Sequence, residues 1–174
     1  QNQFDTIYHE HFSYFSFYTA GLIFEKHGLE LFDVERISTH GGSLRIYGKH
    51  KEDTSKNISP NVAELLKEEE AKGMQALSYY EGFQGKVDRV KVDLVSFLLE
   101  QKKKNTKVAA YGAAAKGNTL LNYCGIKSDL VEYVVDASPH KQGKCLPGSH
   151  IPIVNEDMIK KNKPDYILIL PWNL

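Results

Sequence analysis

The sequence predicts an α/β protein: a Rossmann-like parallel sheet in the C-terminal domain, preceded by a helix plus antiparallel hairpin and two further helices. Three observations predict it. From Lys107 onward short apolar runs alternate with helix-length segments, the pattern of parallel strands crossed by helices. Upstream, two strand-like runs flank the turn Thr39-His40-Gly41-Gly42. Between these regions lies a long charged segment with an apolar stripe at helical spacing.

Residues 1–13 are dense in aromatics and histidines without a period of 2 or 3.6, so they read as an ordered loop with a short extended piece, the kind of segment that carries function or covers a site. From Tyr14 to Lys26, Phe15, Tyr18, Leu22 and Ile23 recur at helical spacing, and Gly28 is placed to stop that helix. The runs Leu29 to Val34 and Ser43 to Gly48 read as the hairpin strands. Ser59-Pro60 opens two helices, roughly 60–80 and 84–103, the second with Val87, Val90, Leu94, Phe97 and Leu98 on one face. Val108 to Tyr111 is then a buried strand, Ala113 to Tyr123 a helix and Leu130 to Val135 a strand. A Gly/Pro-rich loop follows, then a short helix from Asn155 to Asn162 and a strand from Tyr166 to Leu170.

Composition narrows the function classes. The 174 residues, 41% hydrophobic and 25% charged with six prolines, suit a globular chain and exclude disorder and collagen. Two cysteines, Cys124 and Cys145, are too few for a disulfide framework or a four-ligand zinc pattern, so a reducing cytoplasm is the expected compartment. No run approaches the roughly 20 apolar residues of a membrane span, and no charged-then-apolar leader opens the sequence. Net charge is zero, yet the segment from residue 101 on holds 11 of the 22 basic residues and only 6 of the 22 acidic ones. Lys102-Lys103-Lys104 suits a helix C-terminus, and without basic stripes interleaved with aromatics a nucleic-acid partner is not expected. The first residue, Gln1, is not an initiator methionine, which leads to the expectation of a piece of a longer chain.

Three constellations could carry chemistry. The first is Gly112-Ala113-Ala114-Ala115-Lys116-Gly117-Asn118-Thr119, set between a strand and a helix. Small residues there let a ligand approach the backbone, the helix start attracts phosphate, and Lys116 adds a charge. It is neither Walker A, because Lys116 precedes Gly117, nor Gly-x-Gly-x-x-Gly, because Ala114 takes the second glycine position. A turn needed only for packing stays open beside this. The second constellation is Asp136, ending a strand where dinucleotide folds put an acidic residue for a ribose, with Lys141, Lys144 and His150 in the following loops able to meet a diphosphate or to be ordinary loop cations. The third is Tyr8-His9-Glu10-His11, which offers a base, an orienting carboxylate and a phenol; if extended, His9 and His11 face one side. A metal shared by these histidines with His27, His40 or His50 has no supporting ligand spacing, and no metal is expected.

The runs Phe4 to Tyr14, His40-Gly41-Gly42-Ser43-Leu44-Arg45, Gly112 to Asn122, Asp136 to Gly143, Pro147 to Ile153 and Leu170-Pro171-Trp172-Asn173, in this order, resemble the C-terminal portion of S-adenosylmethionine-dependent sugar C-methyltransferases, which act on nucleotide-linked deoxy-keto-sugars. The resemblance spans nearly the whole chain. It implies that residues 1–50 are the C-terminal end of a methyltransferase domain, 51–104 a helical connecting segment and 105–174 a truncated Rossmann-like C-terminal domain. It also implies that S-adenosylmethionine is the methyl donor of the parent enzyme, its glycine-rich loop absent here, and that zinc belongs to a missing N-terminal module.

By the same resemblance His11 is the general base that takes a proton next to a ketone, with Tyr8 and Glu10 holding sugar or imidazole in place. Gly112, Ala114, Lys116, Gly117, Asn118, Asp136, Lys141 and His150 then form the side toward the nucleotide-diphosphate sugar. The chain alone is expected to be inactive. The alternatives are an NAD-type nucleotide-binding module and a non-catalytic structural lid.

Overall fold

A computed structural model describes residues 3–173. The chain divides into two compact units, one of residues Phe12–Phe83 and one that joins residues 3–11 to Gln84–Trp172. The mixed α/β class expected from the sequence is what the chain adopts.

In the first unit helix α1 spans Phe17–Lys26, three residues shorter than the apolar spacing suggests, because Ser16 is extended and caps it by accepting the Thr19 N–H at 3.0 Å. The buried carboxylate of Glu69 accepts the Phe17 and Tyr18 N–H groups, each at 2.8 Å, placing negative charge on the positive end of the helix. Gly28, at φ 72°, turns the chain into strand β1 (Leu29–Ile37), which pairs antiparallel with β2 (Ser43–His50). A single 3₁₀ turn at Thr39–Gly41 joins them. Helix α2 (Pro60–Ala71) starts at the Ser59 cap with proline in the first turn. It stops well before residue 80: Gly73 at φ 75° takes the chain out of the helix, and a one-turn α3 (Ser78–Glu81) follows. Phe17, Leu31, Val34 and Leu65 are the buried core of this unit.

The second unit contains helix α4 (Phe83–Lys103) from its second residue on, strand β3 (Val108–Tyr111), helix α5 (Ala115–Cys124), strands β4 (Val134–Val135) and β5 (Ile153–Val154), helix α6 (Asp157–Asn162) and strand β6 (Tyr166–Ile169). The four strands are parallel in the order β5-β4-β3-β6. That is the 3-2-1-4 order of a doubly wound sheet, which places a topological switch point between β3 and β6.

Alternate residues of β3 feed two cores. Val108 and Ala110 join Leu98, Leu121, Val134 and Leu170 on one face, and Ala109 joins Tyr133 and Val135, covered by Met158 and Ile159 of α6, on the other. On α4 the inward face is Val87, Leu98 and Gln101 with Leu94 half-buried, whereas Val90 and Phe97, expected on that stripe, are exposed. Phe97 instead meets the ring of Tyr166 edge-on at 5.3 Å. Strand β4 is shorter than the apolar run Leu130 to Val135, because the N–H groups of Leu130 and Val131 close a turn on the Lys127 carbonyl. Helix α5 starts two residues late because Ala114 is extended at φ −97° and ψ 154°, and the Ala113 N–H before it donates to Asp136.

Candidate functional site

The segment of residues 3–11 is anchored on the second unit at four successive points. The Lys116 ammonium donates to Gln3 Oε1 at 3.0 Å, and the rings of Phe4 and Tyr123 lie 5.2 Å apart. The Trp172 indole N–H donates to Asp5 Oδ2 at 2.7 Å. The Thr119 hydroxyl reaches the Ile7 carbonyl at 3.4 Å. Lys116 in the first turn of α5 and Trp172 after β6 lie at the carboxyl end of the sheet at its switch point, where open α/β sheets bind ligands, and Thr119 and Tyr123 continue the contact along α5. Here the chain's own segment is bound there.

That segment is a 3₁₀ turn at Phe4–Thr6 followed by a second turn closed by His11 N–H on the Tyr8 carbonyl at 2.9 Å. The extended alternative, with His9 and His11 on one side, is therefore not adopted. The turn brings the Tyr8 and His11 rings together, 4.3 Å between centroids. His11 Nδ1 lies 2.9 Å from the Thr6 carbonyl oxygen. A carbonyl only accepts, so Nδ1 carries the proton. Glu10 sits 3.9 Å from His9, both side chains largely exposed. The group that orients the His11 imidazole is thus the Thr6 carbonyl, which no side-chain pattern could flag.

The glycine turn is packed from below. A Cβ at Gly112 would meet Pro171 Cδ at 2.6 Å, and one at Gly117 would meet Leu170 Cβ at 2.6 Å. Ala114, the N-cap of α5, supplies no side-chain acceptor to the first turn. Lys116 is buried, its ammonium 5.2 Å from the centre of the Trp172 ring. The side-chain oxygen of Asn118 is buried with no hydrogen-bond partner among the described residues.

Asp136 gives its acceptors to the protein: Oδ2 takes the Ala113 N–H at 2.8 Å and the Lys141 ammonium at 3.1 Å, and Oδ1 takes the Ser138 N–H at 2.9 Å. Burial pushes this carboxyl up, but the Ser138 N–H, the Lys141 ammonium and the Ala113 N–H outweigh it and hold it below the usual carboxylate value. Lys141 also donates to the Ala113 carbonyl at 2.9 Å, so this pair locks the turn before α5 to the loop after β4. His150, exposed and at φ 56°, is elsewhere. Its turn is held by the Asn122 side chain donating to the Pro147 carbonyl at 3.0 Å, about 10 Å along α5 from Ala115 at 1.5 Å per residue. Lys144 is likewise exposed.

Among the described residues no three His, Cys, Asp or Glu side chains gather as metal ligands, and no helix is long and apolar enough to cross a membrane. Gln3, Asp5, Thr6 and Trp172 were not singled out by residue type. Their only signal is that each falls in or beside a run shared with the sugar C-methyltransferases.

Comparison with known proteins accords with this. Residues 38–174 match the family described as the C-methyltransferase C-terminal domain. Over 172 residues, 99% of the chain, the sequence is 39% identical to C-methyltransferase NovU of Streptomyces niveus. The chain spans 41% of the length of that relative.

Proposed function

Starting from the fact that the chain belongs to the C-methyltransferase family, we propose that it is part of an enzyme that moves a methyl group from S-adenosylmethionine to the carbon beside the ketone of a nucleotide-linked deoxysugar. The observation that carries the reading is the His11 imidazole, fixed by the Thr6 carbonyl with Tyr8 stacked beside it. A carbon acid next to a carbonyl is weakly acidic and needs a base held in place. His11 Nε2 takes the proton, the electron pair passes into the ketone as an enolate, and the Tyr8 hydroxyl supports the developing charge on oxygen. Glu10, on the exposed side of the turn, meets a sugar hydroxyl.

S-adenosylmethionine supplies an electrophilic methyl on a positively charged sulfur. The spaces that Gly112 and Gly117 leave are filled by Pro171 and Leu170. The diphosphate of the sugar meets the uncapped first turn of α5 at Ala114 and Lys116, while Gly112, Gly117, Asp136 and Lys141 hold that turn in shape.

The test uses the full-length protein in deuterium oxide with the keto-sugar nucleotide and no methyl donor. His11 should exchange the proton beside the ketone for deuterium, and His11→Ala should slow both this exchange and methyl transfer by about 100-fold or more. Undiminished exchange would remove His11 as the base. A second reading, in which the Rossmann-like unit supports the catalytic turn and binds no nucleotide, is favoured by one observation: the Lys116 ammonium is engaged with Gln3 and Trp172.

A further inference from the structure

Asp5 is 6% exposed, and among the described residues no cation pairs with it. A buried carboxylate without a counter-charge is costly, so its surroundings must do something in return. Its partner is the Trp172 indole N–H at 2.7 Å. The same indole carries the buried Lys116 ammonium over its ring, and that ammonium binds Gln3, two residues before Asp5. Carboxylate on the N–H edge and cation on the ring face polarise the indole in the same sense, so each contact strengthens the other. On the far side of the same segment, the Phe4 ring lies on Tyr123, whose hydroxyl donates to Asp88 at 2.7 Å. The anchors at residues 3, 4, 5 and 7 directly precede the Tyr8–His11 turn. Thr6, which holds the His11 ring, lies between two of them.

We infer that Asp5 and Trp172 form a latch that positions the His11 base, which makes Asp5 a positioning residue for the proton transfer. The inference rests on the reading of His11 as the base. Breaking the latch frees the Thr6 carbonyl to drift, and with it the direction of the His11 Nε2 lone pair. Misplacement of a reacting group by about 1 Å costs about 100-fold in rate. Neither the Asp5 carboxylate nor the Trp172 indole N–H is assigned a substrate contact.

Two measurements test it. Trp172 is the single tryptophan of the 174 residues, so a ¹⁵N-labelled chain shows one tryptophan indole N–H signal. Asp5→Leu should shift that signal and speed its exchange with solvent, and Asp5→Asn should do so less, because an acceptor oxygen remains. In the full-length protein, Asp5→Leu and Trp172→Phe should each lower kcat by about 10- to 100-fold with both KM values within about twofold of wild type. The double variant should be no worse than either single one, and Asp5→Asn should recover part of the loss. Multiplying losses, KM values that rise with the loss of rate, or kcat within about twofold of wild type would overturn the latch. Should Asp5→Leu not fold, Asp5→Asn and Trp172→Phe carry the same comparison. Full turnover in His11→Ala would instead refute the base, a result the indole signal does not touch.

Discussion

Replacing Gly117 by alanine tests the packing that sets the position of α5. The residue is inside the helix and not at positive φ, so alanine meets no backbone strain and gains about 0.8–1.0 kcal/mol in helix propensity. Against this, the new Cβ would lie 2.6 Å from Leu170 Cβ, 3.0 Å from its Cδ1 and 3.1 Å from its Cγ. Carbon atoms sit at about 3.5–4.0 Å, so helix and strand end must separate by about 1 Å. No rotamer change relieves this, because the nearest atom is a Cβ fixed to the backbone, and Leu170 is 1% exposed in the core. Overpacking of this kind costs about 1–3 kcal/mol, which leaves a net loss of about 0–2 kcal/mol after the propensity gain. Urea unfolding followed by Trp172 fluorescence reads the unit that holds both residues. Gly125→Ala is the control: at φ 74° with nothing within 4 Å of its Cβ, it should lose about 1–2 kcal/mol from conformation alone. A Gly117→Ala chain more stable than wild type by the full propensity gain of about 0.8–1.0 kcal/mol would refute the claim that close approach to Leu170 is why glycine stands there.

In the first unit, Glu69→Ala removes the acceptor of two N–H groups at the start of α1 and should lower stability by about 3 kcal/mol, seen by near-ultraviolet circular dichroism of the tyrosines; a change under about 0.5 kcal/mol would contradict the capping role. Asp136 gives a pH dependence. Its folded value lies below the unfolded one of about 3.9, so its contribution to stability is complete above that value and lost as pH falls through the depressed folded value. Asp136→Asn should flatten the stability profile below about pH 4 and leave the slope near pH 7 unchanged. Calorimetric titration with thymidine diphosphate should show binding that Lys116→Ala weakens, with no response to NAD or S-adenosylmethionine. No response to the diphosphate would favour the unit as a support for the catalytic turn.

The alternation of helices and strands after Lys107 was legible because each element there buries one face and writes that face into its period. Boundaries were less so, since they depend on single hydrogen bonds between distant residues. Asp136 takes the Ala113 N–H beside the extended Ala114 that delays α5, and the Lys127 carbonyl takes two N–H groups that would otherwise extend β4. Val90 and Phe97 show the limit of a stripe drawn from residue type: Leu94 and Leu98 suffice to cover this small sheet, and the flanking apolar positions remain at the surface. In the site, the glycine turn and the Tyr8 to His11 run stood out by composition. The contacts of Lys116 and Asp136 did not, because cations and carboxylates read alike whether they meet a ligand or their own chain.

What the sequence by itself determined is the class of the fold, the family and the two short runs of candidate functional residues. These follow from local periodicity and from ordered motifs, which neighbouring residues carry. What only the tertiary structure decided is where those runs meet. Gln3 finds Lys116 across 113 positions and Asp5 finds Trp172 across 167, and such pairings are chosen by burial of the whole unit rather than by any local preference. The proton on His11 Nδ1 has the same origin, since it is set by a backbone carbonyl that every residue possesses and only a particular turn can aim.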